Sequence, residues 1–455
     1  MAGTAVAPPD RALCARWVLP MADATAGRAE AFVREHHAVL LSGARIAAVV
    51  PRSEVPDGIA VTDLGERALL PGFVNGHGHA AMTLMRGFAD DMPLEPWLTE
   101  RIWPLEARWV DARYVADGTE LAIAEMLAGG ITTYSDMYFF PEAGAAVAHR
   151  CGIRAQILAP LVKFPNAWAD GPDAGFRRTT ALHDEYRSTD RITIGFGPHS
   201  TYALDLDHLE RIAVLAEQID APVQIHLHET AAEVAQARRE HGERPLEAVI
   251  RAGLFGPRLQ AVHMTQLEEG DPERLAEHGV SVIHCPQSNL KLASGFCPTT
   301  ALRRAGVRVG LGTDGAASNN ALSILREMHV AAILAKVVAA DAAALPAREV
   351  LRMATLGGAE ALGLEDEIGS LEPGKAADLV AVDLTSPACT PVFHPESQLV
   401  YTGTEARVTH VWVDGEALLE DGRHTRMDVA AIVARANQWR DRMLEASVLD
   451  RKFVE

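Results

Sequence analysis

Long apolar runs are missing from this chain. No uninterrupted stretch reaches the about 18 residues that a membrane-spanning helix requires, so no membrane partner is expected. The first ten residues lack a basic stretch followed by an apolar core, and no secretory signal is expected there. Positive charge is the scarcer sign. Lys and Arg number 42 against 61 Asp and Glu, a net −19 at pH 7, which argues against nucleic acid or another polyanion as partner. Cysteine is rare and unpatterned: Cys14, Cys151, Cys285, Cys297 and Cys389 are odd in number, scattered, and form no CxxC. Such usage suits free thiols in a reducing cytoplasm.

What remains is an ordinary globular composition, 48% hydrophobic and 23% charged. At 455 residues the chain exceeds one small core, so one large domain plus a smaller one is expected. Short β signals crowd both ends: Arg16 to Leu19, His37 to Leu41 and Arg45 to Val50 early, Ala377 to Val382 and Val408 to Val413 late. Asp414-Gly415 then signals a hairpin turn. The termini are therefore expected to meet in one small β domain.

The middle alternates. Eight apolar β runs, each followed by helical sequence, begin at Ala68, Ile131, Ile153, Ile192, Val223, Leu259, Val280 and Val307. Eight βα units spell an α/β fold of the (β/α)8 barrel type, whose chemistry sits at the C-terminal ends of the strands. The expected layout is a first part of a small β-sandwich domain over 1–68, the barrel over 69–366, and the second part with a terminal helix over 367–455.

Most of the runs end in a polar residue of ligating type. In order these are His77 and His79, Asp136, His199, then His226, His228 and Glu229, then His263, His284 and Asp314. His77 and His79 are expected on one strand face, with Gly76 and Gly78 leaving room for an ion. A lone histidine is ordinarily a satisfied structural residue, but a series at strand ends of one barrel is not explained that way. A catalytic zinc wants about three or four N/O ligands and one open position, which His77, His79, His226 and Asp314 would fill.

The His-x-His after the first run, "IHLHET" from Ile225, "HCPQSNLKLASG" ending at Gly295 and "GTDGAASNN" from Gly312 to Asn320 resemble the amidohydrolase superfamily. Within it the chain resembles the methylthioadenosine/S-adenosylhomocysteine deaminases and their chlorohydrolase relatives, from about Leu69 to Leu384. The resemblance implies one divalent ion, zinc first and Fe(II) or Mn(II) next, held by His77, His79, His226 and Asp314. Binuclear members carry a bridging lysine at the end of strand four; Gly197-Pro198-His199 has none. The resemblance further makes Glu229 the proton shuttle, His263 the strand-six histidine, and Trp97, Glu106 and His199 the nucleoside contacts.

The activity it implies is hydrolytic deamination of an adenine nucleoside, 5′-methylthioadenosine before adenosine or S-adenosylhomocysteine, to the inosine analogue and ammonia. Glu229 would protonate N1, Asp314 would move the proton from water to the leaving amine, and His263 would stabilise the tetrahedral intermediate. A homodimer is the family-level expectation. The competing readings are a hydrolase of another ring (guanine, cytosine or a triazine) and a non-catalytic barrel scaffold. Intact ligands and Glu229 argue against the scaffold. His228 is expected to be structural, Asp136 to orient a neighbour through a hydrogen bond, and Lys163 to be solvated or part of a substrate loop.

Overall fold

The structure, a computed structural model, describes residues 7–22, 32–403 and 407–450, the side chains of 447–450 excepted. The terminal sheet contains β1 (Arg11–Val18), β2 (Arg34–Ser42), β3 (Arg45–Pro51), β4 (Ala60–Asp63) and β5 (Arg67–Pro71) from the start of the chain. The barrel follows with β6 (Phe73–Asn75), β7 (Ile131–Asp136), β8 (Arg154–Leu161), β9 (Ile192–Pro198), β10 (Val223–Leu227), β11 (Leu259–His263), β12 (Ser281–His284) and β13 (Val309–Leu311). The chain then returns to the terminal sheet with β14 (Leu379–Asp383), β15 (Arg407–Val413), β16 (Glu416–Glu420) and β17 (Arg423–His424).

Barrel strands neighbour one another in chain order and run parallel. Their near-continuous burial is what helices on the outside and packed side chains inside impose on a parallel sheet. The seam between last and first strands is closed by two backbone bonds, Gly76 N to Leu311 O (2.8 Å) and Asp314 N to His77 O (3.0 Å).

The apolar run Ala68 to Val74, expected as one strand, serves two sheets. Residues up to Pro71 pair antiparallel with β14, which joins the two ends of the chain. Phe73 onwards pairs with β7 in the barrel. Gly72 sits at the crossing, and a Cβ there would run into the Thr132 side chain. Hydrophobicity alone marks both halves as buried and says nothing of the change of partner.

Leu13, Leu69, Leu379 and Trp412 share one apolar cluster, so the terminal strands close around a core of their own. Asp414 and Gly415, both at positive φ, make the expected turn between β15 and β16. Against the barrel, buried Arg154 at the start of β8 donates to Asp378 (2.9 Å) and Asp414 (2.7 Å). The last helix, Val429–Asp450, lays Trp439 edge-on to Tyr114 and donates its indole N–H to Asp117. Among the described residues no helix is long and apolar enough to cross a membrane.

Candidate active site

His77 and His79 lie just past β6, not on it. What aims them is therefore a set of hydrogen bonds and not strand pleat. His77 Nδ1 donates to Gln224 Oε1 (2.6 Å) and His79 Nδ1 to the Met137 carbonyl (2.7 Å). From β10, His226 Nδ1 donates to the His199 carbonyl (2.7 Å). Each acceptor is an oxygen, so each Nδ1 carries a hydrogen and Nε2 is the nitrogen turned to the common centre, as a ligating histidine needs.

The ligand atoms of His77, His79 and His226 lie within 4.8 Å of one another. Asp314 Oδ1 is 3.2 Å from His79 Nε2 and 3.5 Å from His77 Nε2. Buried His77 Nε2 has no hydrogen-bond partner among the described residues. A buried nitrogen without a partner is costly unless something coordinates it. Burial pushes His77 down to about 4 and His226 well below its usual value, so both rings are neutral at pH 7. Burial also lowers His79, but the Asp314 carboxylate facing it raises the ring to about 9, and a divalent ion taking that nitrogen would displace the proton. Three imidazoles and a carboxylate converging on one point fit a single divalent cation.

The neighbouring groups are held as firmly. Asp314, at positive φ, accepts from Ser288 Oγ (2.6 Å) and Ser318 Oγ (2.8 Å) on Oδ2 and from Gly315 N on Oδ1. His263, also at positive φ, donates Nδ1–H to Asn289 Oδ1 (2.8 Å) and turns inward a buried Nε2 that has no partner among the described residues. Glu229 Oε2 stands 3.8 Å from that nitrogen, and burial together with the Asp314 charge pushes the Glu229 carboxyl up to about 8. Its backbone is pinned because Glu233 accepts from the Glu229 amide (2.7 Å) in the first turn of the next helix. Non-glycine residues in left-handed conformation at several strand ends are strain of the sort that clusters at working sites.

A cavity of about 300 Å³ opens over these groups, within the size range of small-molecule sites. His79, His199, His226, Glu229, His263 and Asp314 line it at the barrel end. Trp97 and Glu106 line it from the segment 94–109, where a π-helical stretch (Trp97–Ile102) lies between the helical turns Leu94–Pro96 and Trp103–Trp109. Tyr138 Oη donates to Glu106 Oε1 (2.8 Å), and burial pushes Glu106 up to about 7. The half-exposed rings of Trp103, Phe164 and Tyr202 also line the cavity.

The remaining sequence candidates fall outside it. His228 turns away at positive φ, donating to Gln266 O and accepting from Leu246 N, and is fully satisfied as a structural residue. Asp136 accepts from the Ala80 amide (2.6 Å) and so fixes the chain immediately after His79. His284 is buried behind the site, its Nδ1 without a partner among the described residues. Lys163 is paired with Asp205 (3.0 Å) in a neighbouring depression. Sequence reasoning passed over Tyr138, Gln224, Ser288, Asn289 and Ser318. Three of these sit inside the two motif stretches, which was the available signal.

Residues 68–418 match the amidohydrolase family. A 5-methylthioadenosine/S-adenosylhomocysteine deaminase from Teredinibacter turnerae is 48% identical over 95% of this chain and 98% of its own. Another, from Saccharophagus degradans, is 47% identical over 95% and 96%. Among solved structures, an adenosine deaminase from Xanthomonas campestris with bound zinc superposes with a TM-score of 0.91 at 48% identity, over 96% of this chain and all of that one. A zinc-complexed atrazine chlorohydrolase from Arthrobacter aurescens TC1 follows at 0.87 and 25% identity, over 94% and 99%. The chain belongs to the amidohydrolase family, on the branch of the 5-methylthioadenosine/S-adenosylhomocysteine deaminases.

Proposed function

We propose that this enzyme hydrolyses the exocyclic amine of adenine nucleosides, with 5′-methylthioadenosine as the preferred substrate, giving the inosine analogue and ammonia. The observation that carries the reading is the placement of Glu229 and Asp314. Two carboxyl groups in unlike surroundings flank one three-histidine cluster inside one nucleoside-sized cavity. Pairs of titratable groups pushed apart by environment are how an acid and a base work side by side.

A divalent ion held by His77, His79, His226 and Asp314, zinc first, would lower the pKa of water from 15.7 towards about 7 and supply the nucleophile at neutral pH. The protein's own groups do the rest. Glu229, neutral at pH 7, gives a proton to N1 and makes C6 electrophilic by breaking the ring's aromaticity. Asp314, its Oδ2 fixed by two serine hydroxyls, takes one proton of the attacking water and passes it to the departing amine, and the water's other proton returns to Glu229 as C6 becomes a carbonyl. His263 Nε2 orients the incoming oxygen and stabilises the tetrahedral intermediate. Trp97 covers the nucleoside, Glu106 accepts from the ribose hydroxyls, and His199 reaches the purine edge.

Five free, buried cysteines support a reducing cytoplasm, and a homodimer is the assembly we infer from the family. The deciding experiment is ammonia release from adenosine, 5′-methylthioadenosine, S-adenosylhomocysteine, guanine, cytosine and an aminotriazine, alongside metal analysis. Turnover of the adenine nucleosides supports the reading; turnover of guanine, cytosine or the triazine alone overturns it.

A further inference from the structure

One buried carboxylate touches neither the cavity nor the histidine cluster. Glu327, on the helix Ile324–Val338 that follows β13, is fully buried. Its neighbours on that face are Ile324, Leu325 and Met328, where leucine would pack as well. Burying a carboxylate is costly in desolvation and adds little stability over an apolar residue of its size. Its use here lies in what it holds.

Glu327 Oε2 accepts from the Gln287 amide (3.1 Å), and Oε1 accepts from Gln287 Nε2 (2.5 Å) and Asn319 Nδ2 (2.6 Å). Gln287 precedes Ser288, and Asn319 follows Ser318. Those serines are the two hydroxyl donors on Asp314 Oδ2. One carboxylate thus ties together two separate turns, Pro286–Lys291 and Ala316–Asn319, each of which presents one serine to Asp314. Asn319 Nδ2 also donates to the Thr313 carbonyl (2.7 Å), so the same clamp reaches the residue before Asp314.

We propose that Glu327 is a positioning residue for Asp314. By locking both serine-bearing turns it fixes rotation of the Asp314 carboxylate and so keeps Oδ1 aimed at the metal-binding histidines. A fixed carboxylate holds its metal more tightly and meets the attacking water in one geometry. The role in turnover rests on the deaminase reading above; the role in metal retention does not.

The test is a double-mutant cycle on the zinc-loaded protein, reading metal loss to a chelator and kcat and KM for 5′-methylthioadenosine. Glu327→Gln keeps the volume but sets an amide NH₂ against donors. It should speed metal loss and lower kcat, each at least about tenfold, with KM within about twofold. In a Ser288→Ala/Ser318→Ala background the same substitution should change both by less than about threefold, because the hydroxyls it acts through are gone. A purely structural glutamate would lower the melting temperature in both backgrounds alike, leaving metal loss and kcat of the folded enzyme unchanged or the effects additive. Either result overturns the proposal. Should Glu327→Gln fail to fold, Gln287→Ala, which removes one strut and leaves the carboxylate, takes its place in the same cycle and is judged by the same two outcomes. If the wild type releases no ammonia, the deaminase reading falls while the metal-loss arm still decides on Glu327.

Discussion

Asp314 meets His77 at two points, its backbone amide donating to the His77 carbonyl (3.0 Å) and its Oδ1 facing His77 Nε2 across 3.5 Å. One of the two backbone bonds that close the barrel between its last and first strands is therefore also the bond that brings a carboxylate to the histidine cluster. Closure and site assembly are one event, and the site cannot form in a barrel left open at this seam.

Removing a ligand should accordingly abolish turnover. His226→Ala is expected to lose stoichiometric metal and activity together, and Asp314→Ala to lose activity. Metal content by elemental analysis and ammonia release measure the two quantities. Full metal and full rate in either variant would end this site.

Glu229→Gln keeps the shape of the side chain and its place beside His263 but has no proton to give. A drop in kcat of at least about 10²-fold with metal retained is expected, in line with the contribution of general acid catalysis. Loss of less than about threefold would mean that another group protonates the ring.

The pH profile follows from the same residue. Burial raises the Glu229 carboxyl to about 8, and the reactive form is the neutral acid. The fraction in that form falls as pH rises through the pKa, so kcat should decline on the alkaline side from about pH 8. Glu229→Gln should flatten that limb. A wild-type kcat rising steadily beyond pH 9 would contradict the assignment.

How far all this was legible beforehand differs by level. The eight βα units and the chemistry-bearing strand ends could be read directly, because alternating patterning and polar termini are local properties of the chain. The split at Gly72 could not, since both halves of Ala68 to Val74 are equally apolar and only the choice of partner strand separates them. His77 and His79 were recognised as a pair, yet their aim depends on Gln224 and Met137, which belong to other strands or loops. Ser288 and Ser318 lay in plain view within recognisable motifs. The Ser288 bond to Asp314 arises only when the ends of β12 and β13 meet, and nothing in the spacing of either serine announces it.

The last prediction concerns the substrate's 5′ tail. S-adenosylhomocysteine ends in an amino acid whose carboxylate needs a cation, and the loop after the third barrel strand, β8, forms one wall of the cavity. Here the cavity wall from that loop is Val162 and Phe164, faced by Leu98, Trp103 and Tyr202. Lys163 points elsewhere, into an ion pair with Asp205 (3.0 Å). Arg178 is bound to Glu142 and lies over the Trp168 ring at 5.1 Å. A charge-assisted hydrogen bond contributes about 1.5–3 kcal/mol, so its absence weakens binding roughly ten- to a hundredfold. Burying the methylthio group against apolar side chains contributes about 0.8 kcal/mol per carbon. The expected order of kcat/KM is 5′-methylthioadenosine first, with adenosine and S-adenosylhomocysteine slower, the last by about tenfold or more. Lys163→Met should leave the ratio of the two thioethers unchanged, because that ammonium is committed to Asp205. A preference for S-adenosylhomocysteine that disappears in Lys163→Met would show instead that Lys163 swings from Asp205 to the substrate carboxylate, and the apolar reading of the tail site would be wrong.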